Sequence, residues 1–263
     1  MYILVPMVAV VLYSLSTRWT SNILPDGYTL EHWREAVTED RMQAAIFRTA
    51  WLAAAVCLLD VLLVVPAVYW QRVRNPRIRF GLELAAAIPF VLPFIVIAFG
   101  ILKLAGQFAP ELLGHWYLLL AGHAAVAFPF LYWAVDGAMA AANVVRLNEA
   151  AQACGASPAQ ILRHVVVPNI SVGIATGTML VFATSFGEFA LAQILVGARF
   201  ENVSLYSLNL LTETTSQYEK LAVLTVITFV ILFVISTGVV IANRGQATRL
   251  LPGARVVTGE RSR

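Results

Sequence analysis

The chain has 263 residues, of which 59% are hydrophobic and 13% charged, with a mean hydropathy of +0.76. Soluble domains average about 25% charged residues, so this composition excludes an ordinary soluble domain and predicts an all-α, polytopic membrane protein. At roughly 20 apolar residues per crossing, the length accommodates about six or seven helices and no sizeable soluble domain. The net charge of +3 is too small to imply a nucleic-acid partner, and no basic stretch is interleaved with aromatics. Two cysteines, Cys57 in an apolar run and Cys154 in a polar one, give neither a disulfide framework nor zinc-ligand spacing.

In chain order, the apolar run Tyr2–Leu15 reaches crossing length only together with Ser16–Trp19. It has no basic leading region and no small-residue cleavage site, so it is expected to be a retained first span, about 2–19. A polar segment follows, and from Thr29 to Phe47 it is expected to lie as a helix along the membrane surface. Further spans are expected at about 49–69, 81–102, 115–135, 170–196 and 221–242. The whole of 1–263 reads as one transmembrane domain, with a polar loop at 136–169. Pro89 and Pro93 fall inside the third span and Pro129 inside the fourth, where a freed carbonyl is tolerated beside a cavity or another helix. The fifth span carries Gly173, Gly177 and Gly187, of which Gly173 and Gly177 form a small-residue packing pair.

Orientation follows from the basic residues. The segment QRVRNPRIRF at 71–80 holds four arginines and no acid, and the tail Asn243–Arg263 holds five against one glutamate. With six spans these segments and the 136–169 loop share one side, which takes 11 of the 18 Lys and Arg residues. By the positive-inside rule that side is the cytoplasm, so both termini are expected there.

The most informative stretch is Glu149–Pro168, EAAQACGASPAQILRHVVVP. Small residues begin a helix at Glu149-Ala150-Ala151 and Gly155 breaks it. Ser157 supplies an N-cap with Pro158 at the first helical position, and a second short helix is expected to run through Ile161, Leu162 and Val165 until Pro168 ends it. A protruding pair of short helices at a membrane surface suits docking. Ala150, Ala151 and Ala156 allow close approach, and Gly155 allows a left-handed turn. Glu149 offers a charge to a partner arginine or helix N-terminus. No GxxxxGK[ST] occurs anywhere in the chain, so any nucleotide site belongs to another polypeptide.

The spacing Glu-Ala-Ala, three residues, Gly, nine residues, Val165, one residue, Val167-Pro168 resembles the signature of ABC importer permeases, in the loop where that family carries it. The first outer loop, with Trp19, Tyr28-Thr29-Leu30 and Trp33, is similar to the family's as well. The resemblance implies the type I importer core, with six transmembrane helices and a cytoplasmic coupling helix, in a bacterial inner membrane. It also implies a second permease subunit, two ATP-binding subunits that carry ATP and Mg, and an extracytoplasmic solute-binding protein. No cofactor is implied on this chain, and the permease is not itself an enzyme. The docking residues it implies are Glu149, Ala150, Ala151, Gly155, Ala156 and Ser157. Ser185-Phe186-Gly187-Glu188-Phe189, followed by Gly197, is most similar to the branch handling polyamines, ferric iron, thiamine and aminoethylphosphonate, which favours a heterodimer. Molybdate and sulfate permeases carry a similar Gly-Glu-Phe. Val165 and Val167 stand where Ile and Leu are more usual, and Cys154 before the glycine is less common.

The cargo expected first is a polyamine or another amine-bearing compound, partly because Glu188 places an acid within a span. Ferric iron, aminophosphonate and oxyanions stay open. Glu188, Ser185, Phe189 and Pro129 are the candidate pathway residues. Glu188 has two readings, a pathway acid or half of a pair with a neighbouring helix. Asp60, central in the second span, reads first as an interhelical hydrogen-bond or proton-holding group and second as a substrate contact. Glu83, at the cytoplasmic start of the third span beside Arg79, reads as an interfacial residue. His115 and His123, eight residues apart, lack the further ligands a metal needs. An intramembrane enzyme built on Asp60, Ser185 or Glu188, or a channel or secondary carrier, is the rival class; none of these calls for a docking loop.

Overall fold

A computed structural model describes residues 4–17, 19, 24–212 and 217–247. The beginning of the expected first span and the tail from residue 248 lie outside the described residues. Among those residues the regular elements are helices, and the sole extended pairing is an isolated antiparallel bridge between Ser16 and Tyr28. The elements are α1 (Leu4–Ser14), α2 (Glu31–Thr38), α3 (Asp40–Val73), α4 (Ile78–Val91), α5 (Phe94–Phe108), α6 (Trp116–Ala141), α7 (Val144–Ala153), α8 (Pro158–Ile161), α9 (Val167–Asn169), α10 (Ser171–Gly187), α11 (Ala190–Leu195), α12 (Val203–Thr212) and α13 (Tyr218–Ala247).

Three helices, α3, α6 and α13, are long and apolar enough to cross a membrane, and two bent pairs bring the number to at most five. The described part of the first span, α1, has 11 residues. At 1.5 Å per residue it rises about 17 Å, short of a hydrocarbon core of about 30 Å. The described residues therefore do not reproduce the sixth crossing.

Three boundaries differ from those read in the sequence, each for a local reason. The surface helix expected over Thr29–Phe47 is only α2. Glu39 is extended (φ −81°, ψ 111°), and Asp40 already opens the 34-residue α3. The third span is two helices bent by 114° at Leu92-Pro93. Pro93 lacks an amide hydrogen and drives Leu92 out of helical geometry (φ −100°, ψ 135°), while Pro89 is absorbed within α4. The fifth span likewise stops at Gly187, because Glu188 is extended (φ −72°, ψ 130°) and α11 starts afresh beyond it.

The core is the packing of α3, α6 and α10. Val56, Val64 and Val68 of α3, Leu131, Val135 and Met139 of α6, and Val181 of α10 are all buried in one cluster. The Gly173 and Gly177 pair sets the separation of α10 from α6. A Cβ on Gly177 would sit 2.8 Å from Leu131 Cδ1 and 3.0 Å from Ala134 Cβ, and one on Gly173 would strike Ala138. Removing two side chains lets the backbones approach closely, the usual route to tight helix packing without a hydrophobic driving force.

The end of the bundle at the start of α3 is tied by ion pairs. Arg41 meets both oxygens of Glu201, at 2.7 and 3.0 Å, and stacks over the Tyr206 ring. Glu39 accepts from the Tyr206 hydroxyl at 2.8 Å and from Lys220 at 3.1 Å, so α12 and α13 are held to the α2–α3 junction. The Arg41 bond is the largest influence on Glu201 and holds its carboxyl below the ordinary glutamate value. For Glu39 burial is the largest influence and pushes upward, but the Tyr206 and Lys220 bonds together outweigh it and the net shift is downward.

Gly177→Val should lower stability by about 1–3 kcal/mol through overpacking. Gly100→Ala in α5, where an added Cβ meets nothing within 4 Å, should be neutral or raise stability by up to about 1 kcal/mol. Thermal unfolding in detergent compares the two. Folded carboxyls with depressed pKa values contribute stability that is complete above the unfolded glutamate value and is lost as pH falls through the folded ones. The melting temperature should therefore fall on acidification below the ordinary glutamate range, and less steeply in Glu201→Gln.

Candidate functional site

At the opposite end of the bundle, α7 leaves α6 through Asn143, a non-glycine residue in left-handed geometry (φ 50°). Two buried residues, Val144 and Asn148, face the core. The amide of Ala156 donates to Ala151 O at 3.1 Å and that of Gly155 to Gln152 O at 2.9 Å, a helix stop around Gly155 at φ +80°. Ser157 then forms a reciprocal capping box: its Oγ accepts from the Gln160 amide, and its own amide donates to Gln160 Oε1 at 2.8 Å. Ile161 and Val166 are completely buried and root this second arm.

Of the six docking candidates, Glu149, Ala150, Gly155 and Ser157 are exposed, and Ala151 and Ala156 are half-buried against the core. They form one continuous turn. A Cβ on Gly155 would meet nothing within 4 Å, so the space beside it is open. No hydrogen bond or ion pair reaches the Glu149 side chain among the described residues. Pro168 does not end the second arm. A π turn over Leu162–Val166 widens the helix ahead of it, Asn169 Nδ2 donates to Val165 O at 2.7 Å, and the chain bends by 78° only at Ile170.

A polar clasp joins this turn to the spans. The Tyr69 hydroxyl of α3 donates to Asn148 Oδ1 at 2.7 Å, with both side chains buried. One turn on, Arg72 grips both carboxylate oxygens of Asp136 at 2.6 Å. Gln71 Nε2 donates to the same Asp136 at 3.2 Å, and the Tyr132 hydroxyl donates to Gln71 Oε1 at 3.1 Å. Helices α3, α6 and α7 are thereby linked by hydrogen bonds close to one level. The sequence treats Arg72 only as an orientation signal; its signature as a partner is the acid Asp136 at the corresponding end of the next long helix.

The pathway candidates separate. Ser185 and Glu188 are buried and meet around His123 of α6. His123 Nδ1 is hydrogen-bonded to Ser185 Oγ at 2.8 Å, and its Nε2 lies 3.4 Å from Glu188 Oε2 without the alignment of a hydrogen bond. Glu188 Oε2 also accepts from the amides of Leu191, at 2.9 Å, and Ala192, at 3.4 Å, capping α11. Its geometry is that of a capping carboxylate with His123 beside it. Pro129 is buried within α6, and Phe189 is 41% exposed. His123 is the partner missed from sequence, although a histidine in an apolar run opposite a second span's acid was the available signal. His115 instead stacks on Tyr117. No group of three or more His, Cys, Asp or Glu that could hold a metal occurs among the described residues. Arg79 and Glu83 form an exposed pair at 2.8 Å. Cys57 donates to Thr178 O at 3.4 Å while Cys154 is exposed, so the two do not pair.

The bundle of spans thus carries an exposed, capped turn at one end. Residues 63–250 match the family of binding-protein-dependent transport system inner membrane components, and the chain belongs to that family, the permeases of ABC importers. It is a transport subunit and not an enzyme; ATP hydrolysis lies with partner subunits. Among its relatives, a Salmonella typhi permease protein named for a 2-aminoethylphosphonate transport system is 25% identical over 187 residues, covering 71% of this chain and 70% of the relative. A Streptomyces antibioticus protein named as an ABC transporter permease is 30% identical over 177 residues, covering 66% and 74%. A Mycobacterium tuberculosis protein named as a molybdenum transport system permease is 29% identical over 174 residues, covering 62% and 65%. In fold the chain is similar to a bacterial ABC transporter involved in the import of alginate, with a TM-score of 0.66 over 90% of both chains at 19% identity. It is similar also to the MetNI methionine transporter, at 0.58 over 79% of this chain and 99% of that one, with 16% identity.

Tyr69→Phe should leave Asn148 without its buried donor, at a cost of about 1–3 kcal/mol. Amide hydrogen exchange should then lose about tenfold or more of its protection across α7 while α13 is unchanged. Equal protection in the variant would show that the clasp does not hold α7.

Proposed function

We propose that α7 and the Gly155–Ser157 turn are the surface through which a partner ATPase drives this permease. The observation that carries the reading is the contrast within one short segment. Glu149, Ala150, Gly155 and Ser157 are exposed and the space beside Gly155 is open, while Asn148, Ile161 and Val166 fix the same turn to the bundle. A surface that must transmit force has to be free on its outer side and rigid on its inner side. ATP and Mg act on the partner chains. Their closure draws the docking turns of two permease subunits together and opens the solute path on the opposite face.

On this reading the docking turn and both termini are cytoplasmic, and the end tied by Arg41 and Glu201 faces the solute-binding protein. The bilayer is a bacterial inner membrane, and the second permease is a distinct polypeptide. The cargo we favour is an amine-bearing aminophosphonate, ahead of the polyamine expected from the sequence; the reading draws support from the name of the Salmonella typhi relative, and molybdate is the second reading. Phe189, the exposed member of the pathway set, lies along the solute route. Glu188, Ser185 and Pro129 shape that route from behind, Glu188 by fixing the break between α10 and α11.

Gly155→Asp is the decisive variant, because aspartate tolerates left-handed geometry better than most residues and the site has room for it. The variant should reach the membrane in normal amount and lose co-purification of the ATPase. Its solute uptake in vesicles should fall about tenfold or more, the equivalent of at least about 1.4 kcal/mol of docking energy. Wild-type uptake with the ATPase still bound would overturn the assignment.

A further inference from the structure

A groove of about 380 Å³, open on the side of the exposed Leu63, lies between α3, α4 and α6, apart from the docking turn and from the His123 cluster. Its walls are hydrocarbon, with Leu63, Ala67, Leu82, Ala124 and Phe128 among them, and Asp60 is its one charged lining residue. The other polar lining group, the Tyr132 hydroxyl, is already engaged with Gln71. Asp60 is 2% exposed, and its Oδ2 has no hydrogen-bond partner among the described residues. No described basic side chain pairs with it. The neighbouring titratable group on its own helix, Cys57, donates to Thr178 O of α10 and does not answer the carboxylate. Of the two leading readings of Asp60, an interhelical hydrogen bond or a held proton, the hydrogen bond is not present at Oδ2.

A carboxyl group in an apolar wall is costly unless a donor or a cation meets it. A proton would neutralise the charge but would leave its O–H without an acceptor among these hydrocarbon walls, since Asp60 Oδ2 has no hydrogen-bond partner among the described residues. A bare metal ion needs several oxygen ligands, and this wall supplies one carboxylate. A second anionic group would be repelled by Asp60. What complements one buried carboxylate, hydrocarbon walls and an aromatic ring is a compact cation with an apolar body.

We infer that this groove binds a small organic ammonium ion, its N–H groups donating to the Asp60 carboxylate and its hydrocarbon body packed against Leu63, Ala67, Ala124 and Phe128. The site recognises the amine end of the solute class proposed above. It rests on that reading only for the solute's passage, since occupancy itself needs neither ATPase nor binding protein.

The test is a titration of the full chain in detergent with n-butylammonium chloride, reading the thermal unfolding midpoint, against sodium chloride at equal ionic strength and against neutral 1-butanol. The expected result is a saturable rise with n-butylammonium alone. Apparent affinity should weaken about tenfold or more in Asp60→Asn, which keeps the side-chain shape and removes the charge. Ala124→Leu narrows the groove while leaving the carboxylate in the chain and should also abolish the rise, so the site remains testable if Asp60→Asn fails to fold. No saturable rise in the wild type, an equal rise with 1-butanol, or an unchanged response in Ala124→Leu would overturn the inference. Co-purification of the ATPase with Gly155→Asp reads the docking assignment separately, so either can fail alone.

Discussion

Polar groups inside an apolar bundle must be answered within the protein, and most of this architecture follows from how they are answered. Where the answer is a capped or kinked helix, the span breaks. Glu188 takes the amides of Leu191 and Ala192 and so forces α10 and α11 apart. Pro93, with no amide to offer, separates α4 from α5 by 114°. Where the answer is another helix, the spans lock: His123 with Ser185, Arg72 with Asp136, Tyr69 with Asn148. The two breaks give the bundle bent elements between long ones, and the locks decide which helices move as one body.

That distribution suits a subunit moved from outside. The docking turn is held by one buried hydrogen bond and two buried aliphatic side chains, and it is braced next to a bidentate ion pair between α3 and α6. The close approach of α10 to α6 across Gly173 and Gly177 extends the rigid unit to the third core helix. The Gly155 turn is therefore anchored to the bundle on its inner side. At the far end, Arg41, Glu201, Glu39 and Lys220 tie shorter elements through exposed or half-buried charges, whose individual contributions are small and salt-sensitive.

Local rules make much of the α7–Gly155 element legible in the sequence. Gly155 at positive φ and the Ser157 cap with Pro158 follow from nearest-neighbour chemistry, as does the exposure of a small-residue turn. Pro168, which the sequence reads as the end of the second arm, lies inside the helical run Val167–Asn169, directly after a π turn over Leu162–Val166. Span existence was legible from hydropathy, but span continuity was not. Whether Leu92-Pro93 or Gly187-Glu188 bends depends on what the freed groups find nearby.

The sequence by itself determined the membrane class, the helical fold, the absence of a phosphate-binding loop and the capped Gly155–Ser157 turn, because composition, spacing and capping act over a few residues. The tertiary structure decided the pairings. Tyr69 and Asn148 are 79 residues apart, Arg72 and Asp136 are 64 apart, and His123 and Ser185 are 62 apart. No local pattern selects such partners, since burial of one polar group leaves many distant groups able to answer it. It also decided which acid stays unanswered: Glu188 finds two amides and a histidine, whereas Asp60 faces a hydrocarbon-walled groove. The sequence presents both as acids within spans, and only packing sets them apart.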